Sequence, residues 1–166
     1  MISDEVRFSN FREWEKGVHV SFKEDALWKM EVYRIALFIS DIGWPDVSKL
    51  MRDPRTIKVA DQLFRALGSI SANISEGYSR STGKARALYM EHALGSARES
   101  RDWYFKARFL LGTEVTNHRL EILTQIIRLL LTMLPEQRKL TRISEEPAPY
   151  ETLPTFLSNT IPYPEN

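Results

Sequence analysis

Hydrophobic positions along this chain recur mostly at three- and four-residue steps, the spacing that places side chains on one face of an α-helix. Short stretches containing Gly, Pro or polar residues separate these periodic runs. The pattern predicts four helices, over residues 26–42, 54–76, 83–111 and 116–134. Because short connections favour antiparallel neighbours, we expect an all-α fold, an up-down four-helix bundle.

Each predicted helix is bounded by residues with suitable capping chemistry. Asp, Ser and Thr side chains accept hydrogen bonds from the first free N–H groups of a helix, glycine adopts the left-handed conformation that ends one, and proline starts or stops one. The starts are assigned to Asp25, Asp53-Pro54, Ser81 or Thr82, and Thr116. The ends are assigned to Gly43-Trp44-Pro45, Gly77, Gly112 and Pro135.

The two ends of the chain lack this periodicity, and we divide the sequence into an arm (residues 1–24), the bundle (25–140) and a tail (141–166). We expect an irregular arm that docks on the bundle through its aromatic side chains. The tail contains five of the eight prolines, which is typical of an extended segment, and its large apolar side chains favour partial docking. The side chains concerned are Phe8, Phe11, Trp14 and Phe22 in the arm, and Tyr150, Leu153, Phe156, Leu157 and Tyr163 in the tail.

The fourth predicted helix is apolar over two adjacent stripes rather than one. A helix apolar over so much of its circumference lies either at the centre of its own fold or at a contact with another subunit. We therefore expect homo-oligomerisation. The first stripe is Leu120, Leu123, Ile127, Leu130 and Leu134, and the second is Ile122, Ile126, Leu129 and Met133.

Charge is unevenly distributed, although the whole chain carries only +1. Residues 54–112 hold ten Lys and Arg against five Asp and Glu, a net charge of +5, while the segments on either side carry −2 each. A basic middle indicates a polyanionic partner or contact between unlike surfaces, with random scatter as a third alternative. Arg98, Arg101 and Arg108 share a helix face with Phe105, an arrangement that can neutralise phosphates and stack a base. The candidate nucleic-acid-binding residues are Arg65, Arg80, Lys84, Arg86, Arg98, Arg101 and Arg108.

The sequence carries no recognisable catalytic or cofactor chemistry. It has no cysteine, and its three histidines, His19, His92 and His118, have no ligand partner at helical spacing. Neither a nucleophile elbow, a phosphate-cradling loop nor a dinucleotide fingerprint is present. We expect no enzyme activity, metal or cofactor, with an enzyme of unrecognised type as the remaining alternative. Without a run of about 20 apolar residues or a secretion signal, we expect a cytoplasmic protein with no membrane partner.

Small side chains are concentrated where the second and third helices face each other. They let two helix backbones approach closely, which offsets the about 1 kcal/mol that a mid-helix glycine costs relative to alanine. Asn73, Ser96 and Glu99 are then candidates for a buried hydrogen-bond network that sets the register of the hairpin. We expect close packing here rather than a ligand site. The predicted hairpin residues are Gly68, Asn73, Gly77, Gly95, Ser96 and Glu99.

Two linked motifs in the same helices resemble a known family. Residues 61–80 read DQLFRALGSISANISEGYSR, and residues 93–99 read ALGSARE. They are similar to the paired stretches RA..SI.ANI.EG..R and A.GS..E of the four-helix-bundle proteins related to the ribosomal-RNA intervening-sequence protein. The resemblance covers about residues 25–140 and leaves out the arm and the tail.

The family also includes the accessory protein of diversity-generating retroelements. What the resemblance implies is a non-enzymatic homo-oligomer, a pentamer in the retroelement protein, that associates with RNA or DNA and with a reverse transcriptase. The near-neutral charge of the whole chain departs from that pattern, because a dedicated nucleic-acid binder is expected to be basic. The alternative is a protein–protein scaffold without nucleic-acid binding, in which the fourth helix and the tail carry the contacts.

Overall fold

The computed structural model describes residues 8–140 and 155–165, and all regular secondary structure in these two ranges is helical. The first elements are α1 (Phe11–Gly17), α2 (Val20–Lys23) and a 3₁₀ turn (Ala26–Lys29). The four long helices are α3 (Glu31–Leu50), α4 (Ile57–Tyr78), α5 (Gly83–Leu111) and α6 (Thr113–Lys139). A single turn, α7 (Thr155–Ser158), comes last. The predicted all-α bundle is confirmed.

Each long helix packs against the next one in sequence. Helix α5 has the most extensive contacts, with α4 on one side and α6 on the other, while α3 packs on α4 and closes the ring against α6. The connections, residues 51–56, 79–82 and 112, are short, so consecutive helices run antiparallel. Helices α4 and α5 and the connection between them form a helical hairpin, and this α4–α5 hairpin contains all of the basic residues predicted to bind nucleic acid.

The core explains why α6 is apolar over two stripes. Helices α3, α4 and α6 contribute mainly branched aliphatic side chains, whereas α5 contributes four alanines and so lets its neighbours approach closely. Most of the apolar surface of α6 is therefore covered within one subunit, and its composition alone does not require another. The buried members of the two stripes are Ile122, Leu123, Ile126, Ile127, Leu130 and Leu134, and the partly buried members are Leu120, Leu129 and Met133.

Helix α5 has the boundaries predicted for it. The Thr82 hydroxyl accepts a hydrogen bond from the N–H of Ala85 at 3.3 Å, so Thr82 is the cap. Gly112 ends the helix with a positive φ of 87°, a backbone conformation that favours glycine. Asp25 is also a cap, but of the 3₁₀ turn, since its carboxylate accepts from the N–H of Leu27 at 2.8 Å.

Helix α3 does not end at Pro45 as predicted but continues to Leu50. Proline inside a helix costs about 3 kcal/mol, because it removes one N–H donor and crowds the preceding turn. Buried contacts beyond it outweigh that cost, since Asp46 and Leu50 are both fully buried. Gly43 is a packing residue rather than a terminator, because a Cβ there would lie 2.6 Å from Leu67 Cδ1.

Helix α4 begins three residues after its predicted start at Pro54. The Asp53 carboxylate caps only the preceding turn, where it accepts from the N–H of Arg55 at 2.9 Å. The Thr56 hydroxyl donates to the carbonyl of Leu50 at 2.7 Å and so closes the connection from α3.

Helix α6 extends past both of its predicted boundaries. It begins directly after Gly112, so Thr116 is a buried helical residue and not an N-cap. It continues through Pro135 because its last turn packs on the start of α5. At that contact Gly83, having no side chain, leaves room for the carbonyl group of Gln137.

The described part of the arm is helical, not irregular as predicted. The Asn10 side chain caps α1 by accepting a hydrogen bond from the N–H of Glu13 at 3.0 Å. Phe11 and Trp14 are buried in the same core as the bundle, and Trp14 Nε1 donates to Asp41 Oδ2 at 2.6 Å. The predicted docking of the arm is therefore confirmed for Phe8, Phe11 and Trp14, whereas Phe22 is exposed and the prediction is wrong for it.

Residues 157–165, which we call the strap, lie against the arm and α6. Ile161 is buried and its N–H donates to the carbonyl of Ser9 at 2.8 Å. The Tyr163 hydroxyl accepts from the N–H of Phe8 at 2.8 Å. Of the tail side chains predicted to dock, Leu157 is buried and Tyr163 partly buried, while Tyr150, Leu153 and the side chain of Phe156 lie outside the described residues.

Candidate nucleic-acid interface

Four of the seven basic residues predicted to bind nucleic acid are exposed on the α4–α5 hairpin. Arg65 lies on α4, Lys84 in the first turn of α5, and Arg98 and Arg101 near the middle of α5. Within residues 8–140 and 155–165, none of the four forms an ion pair. Their charge is therefore open to an anionic partner.

The carboxylate of Asp102 can neutralise one of the positive charges on the surface of α5. It lies four residues from both Arg98 and Lys106, so it could form a helical ion pair with either. It pairs with Lys106 at 2.5 Å, and the Lys106 ammonium also lies 4.3 Å from the centroid of the Trp103 ring. The carboxylate is thus occupied on one side of the helix, and Arg98 is left unneutralised.

Arg108 is held against aromatic rings. Its Nη1 donates to the carbonyl of Phe105 at 2.7 Å, and its guanidinium carbon lies 4.0 Å from the centroid of the Phe105 ring and 4.1 Å from that of Phe109. The side chain is only partly exposed. Its charge belongs to the same helix surface as Arg101, but its conformation is fixed by the two rings.

Arg86 does not belong to the outer surface, contrary to the prediction. It is only 9% exposed, and its Nε donates to the carbonyl of Arg80 at 3.0 Å. Its guanidinium carbon lies 4.7 Å from the centroid of the Tyr78 ring. Arg86 closes the α4–α5 connection, because its hydrogen bond and its ring contact both tie α5 to the end of α4.

Arg80 stabilises the same connection. Its Nη2 pairs with Glu76 at 2.5 Å and donates to the Tyr89 hydroxyl at 2.5 Å. The side chain is about half exposed, so it remains within reach of a ligand, but part of its charge is neutralised by Glu76. Of the predicted basic set, the strongest candidates are therefore the exposed, unpaired members on the two helices.

The predicted hydrogen-bond network of the hairpin does not form. Asn73 Nδ2 donates to the backbone carbonyl of Ser69 at 2.7 Å, within α4. The Ser96 hydroxyl donates to the backbone carbonyl of His92 at 3.0 Å, within α5. Glu99 is exposed and accepts from Trp103 Nε1 at 3.1 Å, again within α5. These polar groups are satisfied by the nearest carbonyl or indole on the same helix, so the register comes from packing.

The glycines of the hairpin fall into two kinds. A Cβ at Gly77 would lie 2.9 Å from Tyr89 Cβ, so this glycine permits the close approach of α4 and α5. It lies inside α4, which ends one residue later, and does not terminate the helix as predicted. Gly68 and Gly95 are exposed, and a Cβ at either would have no neighbour within 4 Å, so they take no part in the predicted close packing.

A buried polar cluster, which the sequence analysis missed, lies at the other end of the bundle. Arg119 on α6 pairs with Asp46 on α3 through Nε and Oδ2 at 2.8 Å, and both side chains are fully buried. The Tyr104 hydroxyl donates to the same carboxylate oxygen at 2.8 Å. Arg119 Nη2 donates to the carbonyl of Pro162 in the strap at 3.0 Å, and its Nη1 donates to His118 Nδ1 at 2.7 Å.

Burial and charge shift the protonation equilibria of this cluster. Burial raises the pKa of Tyr104 well above its ordinary value, and the Asp46 carboxylate adds to that effect. The pKa of His118 is lowered to about 4, mainly by burial and to a smaller extent by the positive charge of the adjacent Arg119. Neutral His118 carries its proton on Nε2, because arginine can only donate to Nδ1. The cluster joins α3, α5, α6 and the strap. Because its ion pair is fully buried and out of reach of a ligand, we assign it a structural role.

A signal for this cluster exists in the sequence. Asp46 lies four residues after buried Ile42 and four before buried Leu50, and Arg119 lies four residues before buried Leu123. Each apolar stripe is therefore interrupted by a charged residue, and the two charges have opposite signs. Their pairing requires knowing which levels of α3 and α6 are adjacent, and periodicity within one helix does not contain that information.

An apolar groove lies between α3 and α4, away from the basic residues of α5. Trp44, Met51, Ile57 and Phe64 line it, each 42–50% exposed, and its volume is about 750 Å³. The Trp44 and Phe64 rings meet edge to face with centroids 5.6 Å apart. Lys58 and Asp61 also line the groove, and an exposed apolar surface bordered by polar residues is typical of a protein contact site.

Residues 8–140 and 155–165 offer neither a metal site nor a membrane span. No group of three or more His, Asp or Glu side chains in these ranges is arranged to hold a metal ion. None of the described helices is long and apolar enough to span a bilayer.

Comparison with known proteins gives one match. The family model described as 23S rRNA-intervening sequence protein matches residues 29–134, which include α3, α4 and α5 completely and α6 as far as Leu134. No curated protein and no solved structure matches the chain. The matched region contains both motifs, the exposed basic residues and the buried Arg119–Asp46 pair. By this match over most of its length, the chain belongs to the 23S rRNA-intervening sequence protein family.

Proposed function

We propose that this chain is a non-enzymatic bundle that binds RNA through the outward face of the α4–α5 hairpin. The observation that carries the proposal is the exposed pair Arg98 and Arg101, which meets no carboxylate within the described residues because Asp102 is taken by Lys106. Arg65 and Lys84 extend the basic surface along the hairpin. The family description, which names an intervening sequence of ribosomal RNA, favours RNA over other polyanions.

The test is the affinity for a fluorescently labelled, structured RNA, measured by anisotropy at 50 and 200 mM salt. Binding through phosphates should weaken steeply with salt, because counterions released on binding must be recaptured. Reversing both charges, Arg98→Glu with Arg101→Glu, should weaken binding by about tenfold or more and make the dependence on salt shallower.

A matched control distinguishes the effect of this surface on the affinity from the effect of the net charge of the whole protein. Arg12→Glu with Lys16→Glu makes the same change in net charge on exposed positions of α1. It should reduce the affinity by less than about threefold. Equal losses in the two double variants, or no association of the unchanged protein at 50 mM salt, would contradict the proposed interface.

The second candidate function is a protein–protein scaffold, which the apolar groove favours. In this proposal the groove joins copies of the chain into a homo-oligomer, a pentamer as the resemblance implies. Trp44→Ala with Phe64→Ala should then reduce the mass measured by light scattering to that of a monomer. A monomeric unchanged protein would contradict self-association and leave RNA binding standing.

We further propose an accessory role, in which the bundle serves a nucleic-acid enzyme such as a reverse transcriptase. A reverse-transcriptase gene with template repeats beside the gene for this chain would support that role. RNA binding by a protein whose gene has no such neighbour would separate RNA binding from the retroelement role.

A further inference from the structure

Two aromatic rings on the surface of α5 lie outside the hydrophobic core of the bundle. Phe109 is 86% exposed and Phe105 is 54% exposed. They lie one helical turn apart on the same face, about 6 Å along the axis. The water-exposed part of a phenyl ring does not stabilise the fold, because an apolar side chain stabilises a protein only through the surface that it buries.

The guanidinium of Arg108 holds this pair of rings in a defined arrangement. It lies close to both centroids, at 4.0 and 4.1 Å, and it is anchored by a hydrogen bond to the backbone of α5. The rings and the guanidinium together form an aromatic and cationic surface, which we call the ridge (Phe105, Arg108 and Phe109). Such surfaces are suited to stacking on the faces of nucleobases.

The positive charges next to the ridge indicate that its ligand carries negative charge. Arg98 lies seven residues before Phe105 on the same line of α5, and Arg101 lies four before it. Both are exposed and without an ion pair in the described ranges. Cations one and two turns from a pair of stacking rings match a strand whose bases and phosphates are both accessible.

A protein contact fits this surface less well than it fits the groove. The centre of a protein interface is usually depleted of charged residues. The groove between α3 and α4 combines its four exposed apolar side chains with one charge of each sign, Lys58 and Asp61. The ridge contains Arg108 itself and adjoins two further cations, Arg101 and Lys106. In double-stranded RNA the bases are already stacked on one another, so the rings could reach only an unpaired strand.

We infer that the ridge stacks on unpaired bases of a single-stranded RNA segment, while Arg98 and Arg101 bind its phosphates. The inference rests on the proposed RNA-binding function and adds the class of RNA: a single strand or a loop rather than a regular duplex. Each exposed ring has room for one base, and neighbouring nucleotides occupy successive turns of α5.

The experiment compares a labelled 20-nucleotide single-stranded RNA with the same sequence annealed to its complement, at one salt concentration. The unchanged protein should bind the single strand more tightly. Phe105→Leu with Phe109→Leu should weaken single-strand binding by about tenfold or more, because leucine keeps the apolar surface but has no flat ring. Phe105→Tyr with Phe109→Tyr should retain the affinity, and duplex binding should change by less than about threefold in both variants.

Several outcomes would overturn the inference. Equal losses for single strand and duplex, or no loss in the leucine variant, would remove the stacking role while the RNA-binding function stands. A fall in mass in light scattering on Phe105→Ala with Phe109→Ala would assign the ridge to contact between subunits instead. If the unchanged protein bound neither RNA, the proposed function itself would fail, and the ridge inference with it. Unchanged circular dichroism of the variants confirms that the exposed rings were replaced without unfolding.

Discussion

The buried cluster around Arg119 and the outward face of α5 around Arg98 use the same side chain under opposite conditions. Arg119 is fully buried and meets the carboxylate of Asp46 at 2.8 Å. Arg98 is exposed and, within the described residues, meets no carboxylate. An interior arginine becomes part of the fold, because losing its partner leaves an uncompensated charge in a medium of low dielectric constant. An exposed arginine is solvated in the free protein, so it can exchange water for a ligand at little cost to stability.

The largest effect is expected from removing the interior partner, in Asp46→Ala. The free energy of unfolding should fall by about 3–5 kcal/mol, because Arg119 loses its counter-charge and Tyr104 loses its acceptor. Urea unfolding followed by circular dichroism measures the change. Arg98→Ala, which removes a charge from the outer surface, should alter the free energy of unfolding by less than about 0.5 kcal/mol.

A paired replacement sharpens this prediction. Asp46→Leu combined with Arg119→Met removes both charges and keeps most of the buried volume, so it should recover much of the stability lost in Asp46→Ala. If Asp46→Ala cost less than about 1 kcal/mol, the ion pair could not be the element that joins α3 to α6.

The second effect contrasts buried and exposed positions of the hairpin with one type of substitution. Gly77→Ala should cost about 1–3 kcal/mol, since the added Cβ would lie 2.9 Å from Tyr89 Cβ and force α4 and α5 apart. Gly95→Ala, where the space is open, should instead stabilise by about 0.5–1 kcal/mol because alanine favours the helix. Thermal unfolding of the two variants gives the comparison, and equal shifts of their midpoints would show that the close approach at Gly77 does not limit packing.

The smallest effect is a dependence of stability on pH that arises from His118. The pKa of His118 is about 4 in the folded chain against 6.5 for an ordinary histidine, so the folded state resists protonation. The contribution of neutral His118 to the free energy of unfolding is complete above pH 6.5. It is lost as the pH falls from 6.5 to about 4, because in this interval the unfolded chain binds a proton at this histidine and the folded chain does not. Between pH 7.5 and 5.5 the free energy of unfolding should fall by about 1 kcal/mol more in the unchanged protein than in His118→Gln. Parallel pH profiles of the two proteins would show that His118 is solvated enough to protonate in the folded state.

Local periodicity placed the outer surface better than the interior. Arg98, Arg101 and Phe105 follow from the spacing of α5 alone, because the face opposite an apolar stripe is exposed in almost any bundle. The same argument failed for Arg86, which is drawn into the α4–α5 connection by the ring of Tyr78 and a carbonyl group. Those contacts depend on how the chain turns back on itself, and they have no period.

The sequence by itself determined that the chain forms four long helices in a bundle, where α5 begins and ends, and which part of the surface is basic. These features follow from hydrophobic periodicity, capping side chains and local charge, and each acts over a few residues. Only the tertiary structure decided that α3 and α6 continue through Pro45 and Pro135, that the arm enters the core, and that Asp46 pairs with Arg119 across 73 positions of the chain. In each case the free energy comes from contacts between distant segments, and these outweigh the local preference.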